Sequence, residues 1–200
     1  HFFVAHLAEA IALRPLLPPG CTVYVLHGVP PGAEGDAAAH GLVPVLNSRQ
    51  HIDAWRKLAA TLGRRLGAIV QVDSGMARLG LSTAELQQIA GEPSAFDGID
   101  TAFVMSHLAA ADEPANPANA AQLERFTAAR RLLPPAPASF ANSSGIFLGS
   151  DFHCDLARPG VALYGAHPTP GLPNPMQAFV RLQGNIFQVR AVQAGACVGY

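Results

Sequence analysis

The stretch AIVQVDSGMARLG, residues 68–80, begins as an apolar run and ends as a polar turn. Residues 68–72 are mostly apolar at consecutive positions, not at alternate ones, which reads as a strand covered on both faces. Asp73, Ser74 and Gly75 break the run, and a single cation, Arg78, follows among small residues. A covered strand that stops at such a turn is the repeating unit of a parallel barrel, where the working residues lie beyond the strand C-termini.

The same unit recurs along the chain. Apolar runs occur at FFVA (2–5), CTVYVLHG (21–28), LVPVLNS (42–48), AFVMSHLA (102–109), PASFANSS (137–144) and LARPGVALYG (156–165). Helical patterns fill the gaps. HLAEAIALR stops before Pro15, and Asn47 or Ser48 can cap SRQHIDAWRKLAATLG. Ser82 and Glu85 have capping-box spacing, and NAAQLERFTAARRLL ends at Pro134-Pro135, which cannot continue a helix. Seven βα-type runs predict a (β/α)8 TIM-type barrel that lacks its first strand. The barrel is assigned to residues 1–172. After Gly165 the texture changes: AHPTPGLPNP carries four prolines, and AFVRLQGNIFQVRAVQAGACVGY alternates polar and apolar residues. Residues 173–200 are therefore expected to begin an all-β domain. Because the chain opens and closes inside apolar elements, it is expected to be a fragment.

Composition narrows the function. Half of the 200 residues are apolar, only 14% are charged, and the net charge is −1. This composition excludes a disordered chain and offers no basic patch for nucleic acid or an anionic membrane surface. No apolar run is long enough to span a bilayer. The three cysteines lie far apart without a CxxC pair, and the eight histidines lack close ligand spacing. Neither a disulfide framework nor a metal site is read, and a reducing cytoplasm fits.

The polar residues at the strand ends are the candidates for chemistry: Asp73, Ser74, Arg78, His107, Asn142, Ser143 and Arg158. Each alone has an ordinary structural reading, as a cap, a turn or a satisfied core group. Together they are more specific. Asn142-Ser143-Ser144-Gly145 offers hydroxyls and free N–H groups at a helix start, which suits a phosphate. If the first strand is absent, this turn follows strand seven and 156–165 is strand eight, where barrels often hold phosphate.

VDSGMARLG, FVMSHLAAAD, FANSSG, LARPGVALYG and the terminal VGY, in that order and spacing, resemble the alanine racemase family. The resemblance implies a pyridoxal 5'-phosphate enzyme with a barrel followed by a β domain. It implies that Arg158 faces the pyridine nitrogen; a guanidinium stays protonated there, so the ring nitrogen does not, and the electron sink is weakened. Ser143 with the N–H groups of Gly160 and Val161 would hold the phosphate, with Asn142 adjacent. Arg78 would approach the cofactor's phenolic oxygen and the substrate carboxylate. Tyr200 would move the α-proton on one face, assisted by His107, which in turn contacts Arg158. Tyr200 would enter the partner subunit's site, implying a homodimer. Where many members carry a carbamylated lysine, this chain has Gln71.

The family's second base is a lysine that also binds the cofactor covalently. The chain has one lysine, Lys57, mid-helix and remote from any strand end. The strand count and the absent lysine both imply N-terminal truncation, so the chain alone is expected not to racemise alanine, whereas its parent should, supplying D-alanine for peptidoglycan. A racemase of another small amino acid such as serine, a related decarboxylase and a non-catalytic pyridoxal-phosphate-binding barrel are the alternatives. A carboxylate in place of Arg158 would favour the decarboxylase, and a missing β domain the non-catalytic barrel.

Overall fold

Six parallel strands, hydrogen-bonded in chain order, form the sheet of the computed structural model, which describes residues 1–198. They are β1 (Phe2–Val4), β2 (Val23–Val25), β3 (Val43–Leu46), β4 (Leu66–Gln71), β5 (Ile99–Met105) and β6 (Ala138–Ser139). Helices α1 (Leu7–Leu13), α2 (Glu34–Ala39), α3 (Arg49–Leu62), α4 (Thr83–Ala90) and α5 (Ala118–Arg130) connect successive strands. A parallel neighbour requires such a crossover, so the alternation read from the sequence dictates this sheet.

The row of strands curls. His1, just before β1, stands edge-on to Phe103 of β5 with ring centroids 5.9 Å apart, and Tyr24 of β2 is 6.3 Å from the same ring. Strands remote in sheet order thus face each other across an interior. The period-2 alternation sorts side chains accordingly. Tyr24, Val45, Ile69 and Met105 point inward, with Phe3 stacked on Tyr24. Val23, Val25, Leu46, Ala68, Val70 and Val104 point outward to the helices. The runs are apolar throughout because both faces are covered. This is a partial TIM-type barrel.

Helix ends follow their capping chemistry. Ser48 caps α3, accepting from the His51 N–H at 3.3 Å, and Gly63 ends it in the left-handed region. Ile52, Trp55 and Ala59 form its buried face, and the Trp55 indole donates to the Gly67 carbonyl of β4. Ser82 and Glu85 form the expected reciprocal box at the start of α4.

Two expectations are corrected, the strand at 156–165 and the strand count that included it. The run 156–165 is not a strand: it passes Arg158 without regular structure and coils into a 3-10 turn over Val161–Tyr164. Pro159 has no N–H, and the N–H groups of Gly160 and Ala162, which a ladder would use, both donate to Ser143 Oγ. The described strands accordingly number six, not seven. The alternating segment from Phe179 forms no strand among residues 173–198, and its apolar side chains are exposed; a two-stranded ribbon is marginal without a packed face. The helix α2 was not anticipated, being six residues long and lacking a capping side chain.

Residues 72–81 close a tight loop after β4. Val72 and Leu81 form a parallel bridge, the Asp73 N–H donates to the Leu81 carbonyl, and the Leu81 N–H donates to the Gln71 carbonyl. Gly80 makes this possible: its φ is +109°, and a Cβ there would stand 2.6 Å from the Val72 carbonyl carbon and 2.7 Å from the Asp73 nitrogen. Backbone atoms cannot yield as a flexible side chain can. Gly80→Ala is therefore expected to lower the unfolding free energy by about 2–4 kcal/mol. Gly91→Ala, at φ −84° and with its nearest neighbour at 3.5 Å, should change it by less than about 1 kcal/mol. Equilibrium denaturant unfolding of the two variants measures the difference.

Candidate active site

The C-terminal ends of the strands surround a cavity of about 650 Å³. Phe3 and Leu26 line it from the first two strands, and His107, Ser143, Arg158 and Gly160 from the far side. A shallower depression of about 770 Å³ lies at the opposite end of the strands, beside Gly98 and the end of α3. Lys57 is exposed and lines that depression. The one lysine is therefore on the wrong end of the barrel to meet Arg158.

Arg158 organises the rim. Its Nη1 donates to Ser139 Oγ at 2.5 Å, and its Nη2 donates to the Ser106 carbonyl at 2.7 Å, to the Phe140 carbonyl at 3.4 Å and to His107 Nδ1 at 3.3 Å. Its backbone N–H donates to the Ala141 carbonyl. The residue keeps some surface, yet its guanidinium is crowded by protein, and burial pushes its pKa down to about 10. It is still charged at neutral pH. Among the described residues no carboxylate lies within salt-bridge distance of it.

That arrangement fixes the state of His107. A guanidinium has only donors, so Nδ1 must be the acceptor and the ring proton must sit on Nε2. Burial, then the charges of Arg158 and Arg78, push the imidazole pKa down to about 4. The ring is a neutral donor.

Ser143 is buried, and its Oγ accepts from the N–H groups of Gly160 at 2.8 Å and Ala162 at 3.3 Å. Its lone pairs are thereby occupied and its proton is left to donate. Gly160 has its N–H committed to Ser143, while the Val161 N–H has no acceptor among the described residues. Asn142 lines the cavity, but both ends of its amide hold the turn: Oδ1 accepts from the Gly145 N–H at 2.8 Å, and Nδ2 donates to the Leu108 carbonyl at 3.4 Å.

Arg78 is exposed and does not line the cavity; its charge reaches the site as one of the influences on His107. Its loop is rigid all the same. Asp73 Oδ1 accepts from the N–H groups of Gly75, Met76 and Ala77 at 2.9, 2.9 and 3.1 Å. The Gln71 side chain donates to the Leu79 carbonyl, so it holds the loop backbone and not the guanidinium. Tyr200 lies outside the described residues.

Sequence reading missed Ser106, Gln122 and Ser139, which form the support behind the rim. Ser139 Oγ donates to the Leu156 carbonyl at 2.7 Å while accepting from Arg158. A serine in an apolar strand run was the available signal; Gln122, inside an unremarkable helix, gave none.

The fold and rim define a β/α-barrel protein whose site is built on an arginine held among neutral partners. The chain belongs to the alanine racemase family: the model of the alanine racemase N-terminal domain matches residues 1–168. Over 199 residues it is 57% identical to a catabolic alanine racemase of Mesorhizobium japonicum, covering all of this chain and 52% of that protein. It is 45% identical over 212 residues to an alanine racemase of Brucella canis, 54% of which is covered. The chain thus spans about half the length of the curated relatives it matches. Among solved structures, alanine racemase from Bartonella henselae, with covalently bound pyridoxal phosphate, superposes with a TM-score of 0.85 at 42% identity, covering 88% of this chain and 52% of that one. The biosynthetic alanine racemase of Pseudomonas aeruginosa gives 0.75 at 32% identity, covering 86% and 47%. Among the described residues no helix is long and apolar enough to cross a membrane.

The state of His107 gives a pH dependence. The unfolded chain binds a proton near 6.5, and folded His107 does so only near 4, so between these values the unfolded state holds more protons. Stability linked to His107 is present above pH 6.5 and is lost as the pH falls toward 4, by at most about 3 kcal/mol. His107→Gln, which keeps an acceptor for Arg158, should flatten that decline in unfolding experiments. Nitrogen-15 NMR should find the wild-type ring in its Nε2–H form from pH 5 to 8.

Proposed function

We propose that this chain is the cofactor-binding portion of an alanine racemase that interconverts L- and D-alanine. The observation that carries the reading is Arg158, a cation at the cavity wall whose partners among the described residues are neutral, His107 Nδ1 among them.

The residues present suit pyridoxal 5'-phosphate. The cavity volume is in the range of small-molecule sites, and its far wall combines a guanidinium with the free Ser143 hydroxyl proton and the Val161 N–H. Ser143 and Val161 would hold the phosphate, with Asn142 and Gly160 shaping the turn that presents them, and Arg158 would stand at the ring nitrogen. When bound, the cofactor supplies an electron-withdrawing ring that acidifies the α-hydrogen of an amino acid. Arg158 stays protonated through neutral pH and, placed at the ring nitrogen, would keep a proton off it, which would favour simple return of the proton. His107 offers its Nε2–H to an oxygen in the cavity. We assign that oxygen to the phenol of Tyr200 from a partner subunit. A donor there stabilises the phenolate and brings a group with a pKa of about 10 nearer to working pH. Arg78 would hold the substrate carboxylate from its loop.

Several statements belong to the same proposal. The active unit is a homodimer, and residues 173–200 begin its β domain; the family match ending at residue 168 supports the boundary. The protein is cytoplasmic and supplies D-alanine to peptidoglycan. Lys57 is not the second base, so that lysine comes from elsewhere in a longer protein.

The test uses the full-length protein carrying this sequence, with conversion of L-alanine followed by circular dichroism. Tyr200→Phe should lower racemisation by roughly hundredfold or more, the scale of a lost acid–base group. Arg158→Glu should lower it as well and raise pyruvate formation through by-product transamination. Turnover of serine without alanine, or cofactor binding without racemisation, would overturn the reading.

A further inference from the structure

Behind His107 lies a buried polar chain that the proposed chemistry does not use. Gln122 of α5 is 1% exposed, and its amide is fully committed. Oε1 accepts from the Ala109 N–H at 2.9 Å, while Nε2 donates to the His107 carbonyl at 3.1 Å and to Ser74 Oγ at 3.3 Å. Ser74 Oγ lies 2.8 Å from Ser106 Oγ, which donates to the Val72 carbonyl at 2.8 Å. Ser106 also presents its own carbonyl to Arg158.

The direction of this chain is determined. A carbonyl only accepts, so the Ser106 proton is committed to Val72; Ser74 must then donate to Ser106, and its oxygen is left to accept from Gln122. Every hydrogen runs one way, from the helix through two hydroxyls to the end of β4. One amide thereby grips the backbone at the His107 carbonyl and at Ala109 two residues on, and ties it to Ser74, four residues before Arg78.

We infer that Gln122 is a positioning residue: it splints the His107 turn to the Arg78 loop and so sets the imidazole against Arg158. The inference rests on the racemase reading for its kinetic consequence, though its structural part does not.

The test uses the full-length protein. Gln122→Met, of similar volume, removes all three bonds. It should shift the His107 ring nitrogen resonances of the cofactor-free protein and lower kcat for alanine by roughly ten- to hundredfold, with KM changed less than about twofold, as for a small misplacement of a reacting group. Ile89→Ala, an apolar core change on α4 remote from His107, should lower Tm while leaving the resonances and kcat unchanged. Gln122→Glu, which retains the acceptor for Ala109, should fall between Met and wild type, and serves if the Met variant does not fold. If Gln122→Met lowers Tm yet leaves the resonances and kcat as Ile89→Ala does, the splint is refuted. If the wild-type protein has no racemase activity but Gln122→Met still moves the His107 resonances, the racemase reading fails and the splint stands.

Discussion

A guanidinium enclosed among neutral groups is the constraint on which the rim depends. Removing a charge from water is costly unless fixed dipoles replace the solvent. The carbonyls of Ser106 and Phe140, the Ser139 hydroxyl and the Nδ1 lone pair of His107 supply that replacement for Arg158. These acceptors come from the ends of β5 and β6, so the arginine that carries the local charge also cinches neighbouring strands. With no carboxylate beside it among the described residues, its positive potential is directed at the cavity and at His107. The location of the imidazole's proton follows from this one side chain, while its lowered basicity follows first from burial and then from the charges of Arg158 and Arg78.

How far the sequence could be read depends on whether a residue's role was set locally. Strands β1 to β5 were legible because consecutive apolar residues have few fates other than a doubly covered strand. Ser48 and Ser82 were legible because a cap uses only the next three residues. The run 156–165 looked like its predecessors, but Ser143, distant in sequence, takes the N–H groups that a strand would pair. The alternation after Phe179 met the pattern for a strand, yet a strand exists only with a partner to pair with.

The candidate site divides along the same line. Arg158, His107 and Ser143 line the cavity because strand ends converge there in any parallel barrel. Asn142 sits among them but is occupied in holding its turn. Arg78 stands exposed on its hydrogen-bonded loop and does not line the cavity. Gln122 was invisible because nothing in NAAQLERFTAARRLL distinguishes a glutamine facing solvent from one clasping a turn on another element. Its meaning exists only once β5 delivers His107 and Ala109 to the same place.

The loop after β4 has a further implication for how such a barrel diversifies. Its path is set by a few fixed contacts to its main chain: the Asp73 carboxylate gathers three amides, the Gln71 side chain holds the Leu79 carbonyl, and one glycine rests on the strand it has just left. Among the described residues the side chains of Met76, Arg78 and Leu79 make none of the hydrogen bonds that hold that path. They are passengers on a closed hoop, and evolution can exchange them to retune what the barrel greets without relearning how to make the turn.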